Sequence, residues 1–140
     1  MTTVGITATR EGLTPQQKQV LTTYLTSLHV EEGHHGDCVG GDEDFHEICN
    51  DLSIPIVIHP PEDERLRAFC SRGVLRTWPV LPYLARNKVI VNSIDLLFGC
   101  PKEEEEPAPA RGQGTWSTIR YARRIHAPVK VIYPSGRIIE

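Results

Sequence analysis

The amino-acid sequence predicts an α/β domain, a parallel sheet of about five strands with helices on both faces. Two observations carry this. Short apolar runs of strand length alternate with segments whose apolar residues repeat at helical spacing. The unusual loops, 7–12, 36–42 and 100–115, each follow such a run. In a parallel sheet that placement gathers them at the carboxyl ends of the strands, where ligands bind.

Val4-Gly-Ile-Thr-Ala8 is the first strand, running into the polar loop Thr9-Arg-Glu-Gly12. Thr14 then caps a helix, with Pro15 at its first position and Gln17 completing a capping box. Val20, Leu21, Tyr24, Leu25 and Leu28 give that helix one buried face. Glu31 to His35 is read as the second strand, followed by the glycine-bearing turn Gly36-Asp-Cys-Val-Gly-Gly-Asp42. Phe45, Ile48, Cys49 and Leu52 mark the second helix at i, i+3, i+4, i+7. Ile54 to His59 is the third strand, closed by Pro60-Pro61, with Pro55 tolerable only at its beginning.

Residues 62–79 carry no clear periodicity beyond one helical turn around Leu66 to Cys70. Leu81 to Asn92 reads as a helix and Ile94 to Gly99 as the fourth strand. The irregular stretch that follows holds Glu103-Glu-Glu-Glu106 and then alternating prolines. Adjacent carboxylates repel and prolines forbid a helix, so a flexible acidic loop is expected over 101–111. A helix from Thr115 or Ser117 to Ile125 and a strand from Pro128 to Tyr133 complete one domain spanning 1–140.

Composition excludes several classes. The chain has 140 residues, 39% apolar and 24% charged, enough for one core and hardly two. A formal net charge of −3 gives no blanket attraction to nucleic acid, so a nucleic-acid partner is not expected. No apolar run is long enough to span a bilayer and the start lacks a secretory leader, which makes no membrane partner and a cytoplasmic location the expectation. Cys38, Cys49, Cys70 and Cys100 form no Cys-x-x-Cys and are read as reduced thiols. His46-x-x-Cys49 has no second ligand pair at finger spacing, so neither a metal nor another cofactor is assigned.

Candidate binding residues sit in the loops. Gly112-Gln-Gly114-Thr115 precedes the last helix, whose first turn has no carboxylate, and Trp116 and Thr118 follow within that turn. Free N–H groups at such a start form a cradle for phosphate, and Trp116 is placed to stack on a base or to pack on the sheet. Asp42, ending the glycine turn, can accept from ribose hydroxyls or a base amino group. Charge is also segregated: residues 31–51 hold eight acidic residues and no Lys or Arg, whereas 111–137 hold six basic residues and no Asp or Glu. The two faces suit the two ends of a nucleotide, or pair across a homodimer or higher homo-oligomer.

These loops resemble the SLOG superfamily of Rossmann-like nucleotide-binding domains. His35-Gly-Asp-Cys-Val-Gly-Gly-Asp42 is similar to its His-Gly-Gly-Ala-x-Gly-x-Asp motif, keeping His35, Gly36, Gly40 and Asp42 and departing at Asp37 and Cys38. Arg86-Asn87, with Asp95-Leu-Leu-Phe eight residues on, and Gly112-Gln-Gly-Thr115 are the other matches, so the likeness spans roughly 4–133. The resemblance implies one Rossmann-like domain. Read together with the loops, it gives a nucleotide-like ligand in a cleft lined by Thr7, Thr9, Arg10, Gly36, Asp37, Gly40, Gly41, Asp42, Arg86, Asn87, Gly112, Gly114, Thr115, Trp116 and Thr118.

The Lonely Guy branch hydrolyses nucleoside monophosphates through Pro-Gly-Gly-x-Gly-Thr-x-x-Glu, whose glutamate falls on Thr118 here. A threonine cannot stabilise an oxocarbenium-like centre by charge, so whether this chain is an enzyme stays open. Other branches bind NAD-derived signals such as ADP-ribose-like molecules in antiphage defence. The expectation is a binder of a phosphorylated nucleoside or nucleotide-derived ligand, an ADP-ribose-like or cyclic nucleotide signal, acting as sensor or sequestering protein; the alternative is an N-glycosidase or phosphoribohydrolase with a carboxylate supplied from elsewhere.

Overall fold

The computed structural model describes residues 2–109 and 114–140. The described elements are β1 (Thr2–Ala8), α1 (Pro15–Ser27), β2 (Val30–His35), α2 (Gly41–Asp51), β3 (Ile56–Ile58), β4 (Val74–Thr77), α3 (Tyr83–Asn92), β5 (Leu96–Cys100), α4 (Gly114–Arg124), β6 (Val129–Ile132) and β7 (Ile138–Ile139). They build a seven-stranded sheet in the order β4-β3-β2-β1-β5-β6-β7, parallel throughout except for β7, which runs antiparallel to β6.

Alternation along the strands sorts two cores. Val4 and Ile6 of β1, Ile56 and Ile58 of β3 and Phe98 of β5 meet Leu21 and Leu25 of α1 and Phe45 and Cys49 of α2. On the opposite face, Val131 packs with Trp116 and Ile119 of α4, and Leu97 with Val91 of α3 and Ala122 of α4. The α1 cap forms as the sequence requires: Thr14 Oγ1 accepts from Gln17 N–H at 3.1 Å and Gln17 Oε1 accepts from Thr14 N–H at 3.0 Å. Gln17 is fully buried, and its amide also donates to the carbonyls of Pro101 and Ile132, tying α1 to the ends of β5 and β6.

The sheet has two more strands than the expected five. β4 lies in the aperiodic stretch 62–79 because an edge strand need not alternate; Leu75, Arg76 and Thr77 are all exposed. β7 is two residues long and follows a turn at Gly136, whose φ of 90° suits glycine. The expected helical turn near Leu66 is a 3-10 turn at Glu64–Leu66, capped by Asp63.

The acidic stretch expected to be flexible is anchored over its described part. Glu103 accepts from Trp116 Nε1–H at 3.1 Å, Glu104 from the Ser135 N–H at 2.8 Å, and Glu106 pairs with Arg123 at 2.7 Å and Arg120 at 3.3 Å. Its charges therefore meet cations delivered by α4 and the carboxyl-terminal hairpin, partners far away in sequence. Ala110 and Arg111 lie outside the described residues. No helix among the described residues is long and apolar enough to cross a membrane.

Candidate functional site

After β1 the chain crosses one face through α1 to β2; after β5 it crosses the other face through α4 to β6. β1 and β5 are neighbours, so the connections diverge between them, and a crevice opens at their carboxyl ends. It holds a cavity of about 340 Å³. Thr7 and Ala8 of β1 contribute to its lining, with Arg10, Gly36, Cys38 and Asp42 from the loops, Tyr83, Arg86 and Asn87 from α3, and Gly114 and Thr115 from α4.

Arg86 is 3% exposed. Its guanidinium donates to the carbonyls of Gly36 and His59, to Asn87 Oδ1 at 2.7 Å and to Cys38 Sγ at 3.4 Å. All four acceptors are neutral. Among the described residues no carboxylate forms a direct ion pair with this permanently charged group; Asp42, which shares the cavity, acts on it only through space. Gly36 makes the arrangement possible, because a Cβ there would collide with the Arg86 guanidinium.

Asp42 faces the same cavity. Its Oδ2 accepts from the N–H groups of Cys38 at 3.1 Å and Gly36 at 3.2 Å, while Oδ1 takes no hydrogen bond among the described residues. Burial pushes this carboxyl up to about 6, against the pull of Arg86 and of the two N–H groups. Asn87 is oriented by Arg86: because Nε can only donate, it fixes Oδ1 toward itself and leaves Nδ2 as a donor on the other side. The first N–H groups of α4, starting at Gly114 and Thr115, have no acceptor within the helix. A Cβ on Gly114 would stand 3.1 Å from Tyr83 and 3.6 Å from Asn87 Nδ2, so glycine lets the two helices close there.

The structure brings Thr7, Arg10, Gly36, Asp42, Arg86, Asn87, Gly114 and Thr115 together and places other predicted residues elsewhere. Asp37 is wholly buried behind the turn, where its carboxylate accepts from Arg67 Nε at 3.0 Å and Cys70 N–H at 2.9 Å. Thr9 supports the loop, its hydroxyl accepting from Glu11 N–H and its carbonyl from Gly41 N–H. Gly40 and Gly41 allow close packing of the two loops, against the Arg10 carbonyl and Ala8 respectively.

Trp116 corrects the stacking role. Its ring is fully buried, 6.1 Å from that of Tyr133, and its N–H is engaged by Glu103. The Thr118 hydroxyl donates to the Gly114 carbonyl one turn back. Gly112 lies outside the described residues. Tyr83 is a lining residue that no motif marks, although it follows Pro82 at the helix start and stands three residues before Arg86. Arg10 lies over its ring at 5.5 Å.

His35, His46 and Cys70 cluster with donor atoms within 4.8 Å of one another. Their hydrogen bonds read as a chain: Asp37 N–H donates to His35 Nδ1, His35 Nε2–H to His46 Nδ1, and His46 Nε2–H to the Arg72 carbonyl. That order keeps the proton on the His35 nitrogen facing the cluster, and burial with Asp37 nearby pushes the Cys70 thiol up to about 12. Holding a metal there would require the Cys70 thiol to lose its proton and the His35–His46 hydrogen bond to open. Cys49, three residues after His46, is buried in the core with Phe45 and is not part of this cluster.

No family model matches the chain, and no curated protein matches it in sequence. Among solved structures it is similar to TM1055, a structural-genomics target, with a TM-score of 0.62 at 15% identity over 92% of this chain and 72% of that one. The chain has a Rossmann-like α/β fold. At this identity the likeness speaks for the fold alone.

Proposed function

We propose that the cavity binds the phosphate-bearing part of a nucleotide or nucleotide-derived molecule, and that the protein works as a sensor or sequestering protein for it. The observation that carries this reading is Arg86, a buried guanidinium with no direct ion pair among the described residues, lining one cavity with the amino-terminal end of α4. Burying an unpaired charge is costly, and an anion between Arg86 and the α4 N–H groups offsets that cost on both sides. Asn87 Nδ2 and the rim cation Arg10 add donors, while Asp42 Oδ1, with no partner among the described residues, is left to hydrogen-bond the ligand. A volume of about 340 Å³ lies at the small end of ligand sites, which favours a nucleoside monophosphate, or that portion of a larger molecule.

A second reading rests on Asp42. A carboxyl held up to about 6 in a cavity is suited to donate a proton to a leaving base, which would make the protein an N-glycosidase using a carboxylate other than the one Thr118 replaces. Thermal unfolding with AMP, ADP, NAD and ADP-ribose, followed by chromatography of each mixture, separates the two. A raised midpoint with intact ligand supports a binder. Release of free base, abolished in Asp42→Ala, supports the glycosidase. No shift with any of the four contradicts both.

A further inference from the structure

Few charged side chains face the cavity: Arg86 from α3, Arg10 at the rim from the β1–α1 loop, and Asp42 from the turn before α2. Asp37 stands behind Asp42, with its charge met by Arg67. The thiols around Asp42, which are Cys38, Cys70 and, from β5, Cys100, are held neutral by burial. One buried cation and one rim cation thus face one buried carboxylate.

A phosphate monoester enters near neutral pH as a dianion, since its second ionisation lies at about 6. Two cations balance a dianion; two cations with an ionised Asp42 do not, and like charges sharing a buried site disfavour joint ionisation. The hydrogen bonds also say where a proton would go. Asp42 Oδ2 is occupied by two N–H donors, whereas Oδ1 has no partner among the described residues.

We propose that the cavity takes up a phosphate monoester together with one proton from solvent, carried on Asp42 Oδ1, where the new O–H donates to the ligand. This rests on the anion-binding reading above and adds a regulation to it: ligand is captured as pH falls and released as it rises. That O–H is the one bond formed; it breaks again when the ligand leaves, and the proton returns to solvent.

The test is calorimetric titration of the whole chain with AMP at pH 7.5, in two buffers of different ionisation enthalpy. The expected result is uptake of about one proton per AMP, with affinity falling about tenfold per pH unit between 7 and 8. Asp42→Asn is expected to bind AMP at pH 7.5 without uptake and with little pH dependence. AMP binding to the unaltered protein without proton uptake would overturn this inference and leave the anion site standing. Uptake that persists in Asp42→Asn would overturn the assignment to Asp42. No AMP binding between pH 5.5 and 8 would overturn the anion site itself.

Discussion

Replacing Asp42 by Asn removes a charge from the cavity while keeping an oxygen that can accept the Gly36 and Cys38 N–H groups. In the folded protein the carboxyl ionises at about 6 rather than its usual 3.8. The native state therefore holds this proton more tightly than the unfolded chain. Asp42 favours folding most when protonated, and its contribution is lost as pH rises from about 4 through about 6. A shift of this size corresponds to about 3 kcal/mol at pH 7.5. It already includes the opposing attraction of Arg86, because burial outweighs it. Asp42→Asn is accordingly expected to match the unaltered protein near pH 4 and to exceed its stability by up to about 3 kcal/mol at pH 7.5, a rise of roughly 10 °C in Tm for a chain of this length. Urea unfolding of both proteins at the two pH values measures it. A difference that does not change with pH, or that favours the aspartate at pH 7.5, would show that Asp42 is not held protonated by its burial.

Gly36→Ala should drive the Arg86 guanidinium from its carbonyl partners and lower stability by about 2 kcal/mol, read in the same urea assay, with AMP affinity falling alongside. Trp116→Phe loses the bond to Glu103 and about 1 kcal/mol of stability, read in the same assay; AMP affinity should stay within about twofold, because the ring is buried against Tyr133 and does not line the cavity. His59 acts in the opposite pH direction to Asp42. Burial holds this imidazole down to about 3, so the folded protein keeps it neutral while the unfolded chain takes a proton below about 6.5, and stability is lost as pH falls through that window. Its Nδ1 is buried without a partner among the described residues, and its ring stacks on Trp78. His59→Phe should therefore flatten the acid limb by about 3 kcal/mol between pH 7 and 4, followed by urea unfolding across that range.

The fold was legible wherever local chemistry repeats. The Thr14–Gln17 box, the i, i+3, i+4, i+7 run through Leu52 and the apolar strands β1, β3 and β5 each state their element within a few residues. β4 and β7 were not legible, because exposed edge strands need no alternation and β7 exists through its pairing with β6. At the site, Asp42 and Gly36 stood out because they bound a glycine-bearing turn that follows a strand and opens a helix. The turn also drew in Asp37, whose sequence neighbours gave no sign that Arg67 and Cys70 would cover it. Trp116 was ambiguous for the same reason, since a helix start does not reveal which way its third residue turns. Charge segregation was visible too, but its use was not: Arg120, Arg123 and Arg137 meet Glu106 and Glu104 of the same chain.

On the function proposed above, the Arg86 charge is buried to receive a phosphate. Calorimetric titration of AMP into the unaltered protein and into Arg86→Gln at pH 6.5 tests it most directly, with circular dichroism confirming that the variant is folded and exposed Arg10→Gln as a companion that leaves the buried network intact. One-to-one binding is predicted, weakened by roughly tenfold or more in Arg86→Gln and less in Arg10→Gln. Absence of binding to the unaltered protein, or equal affinity in a folded Arg86→Gln, would contradict it.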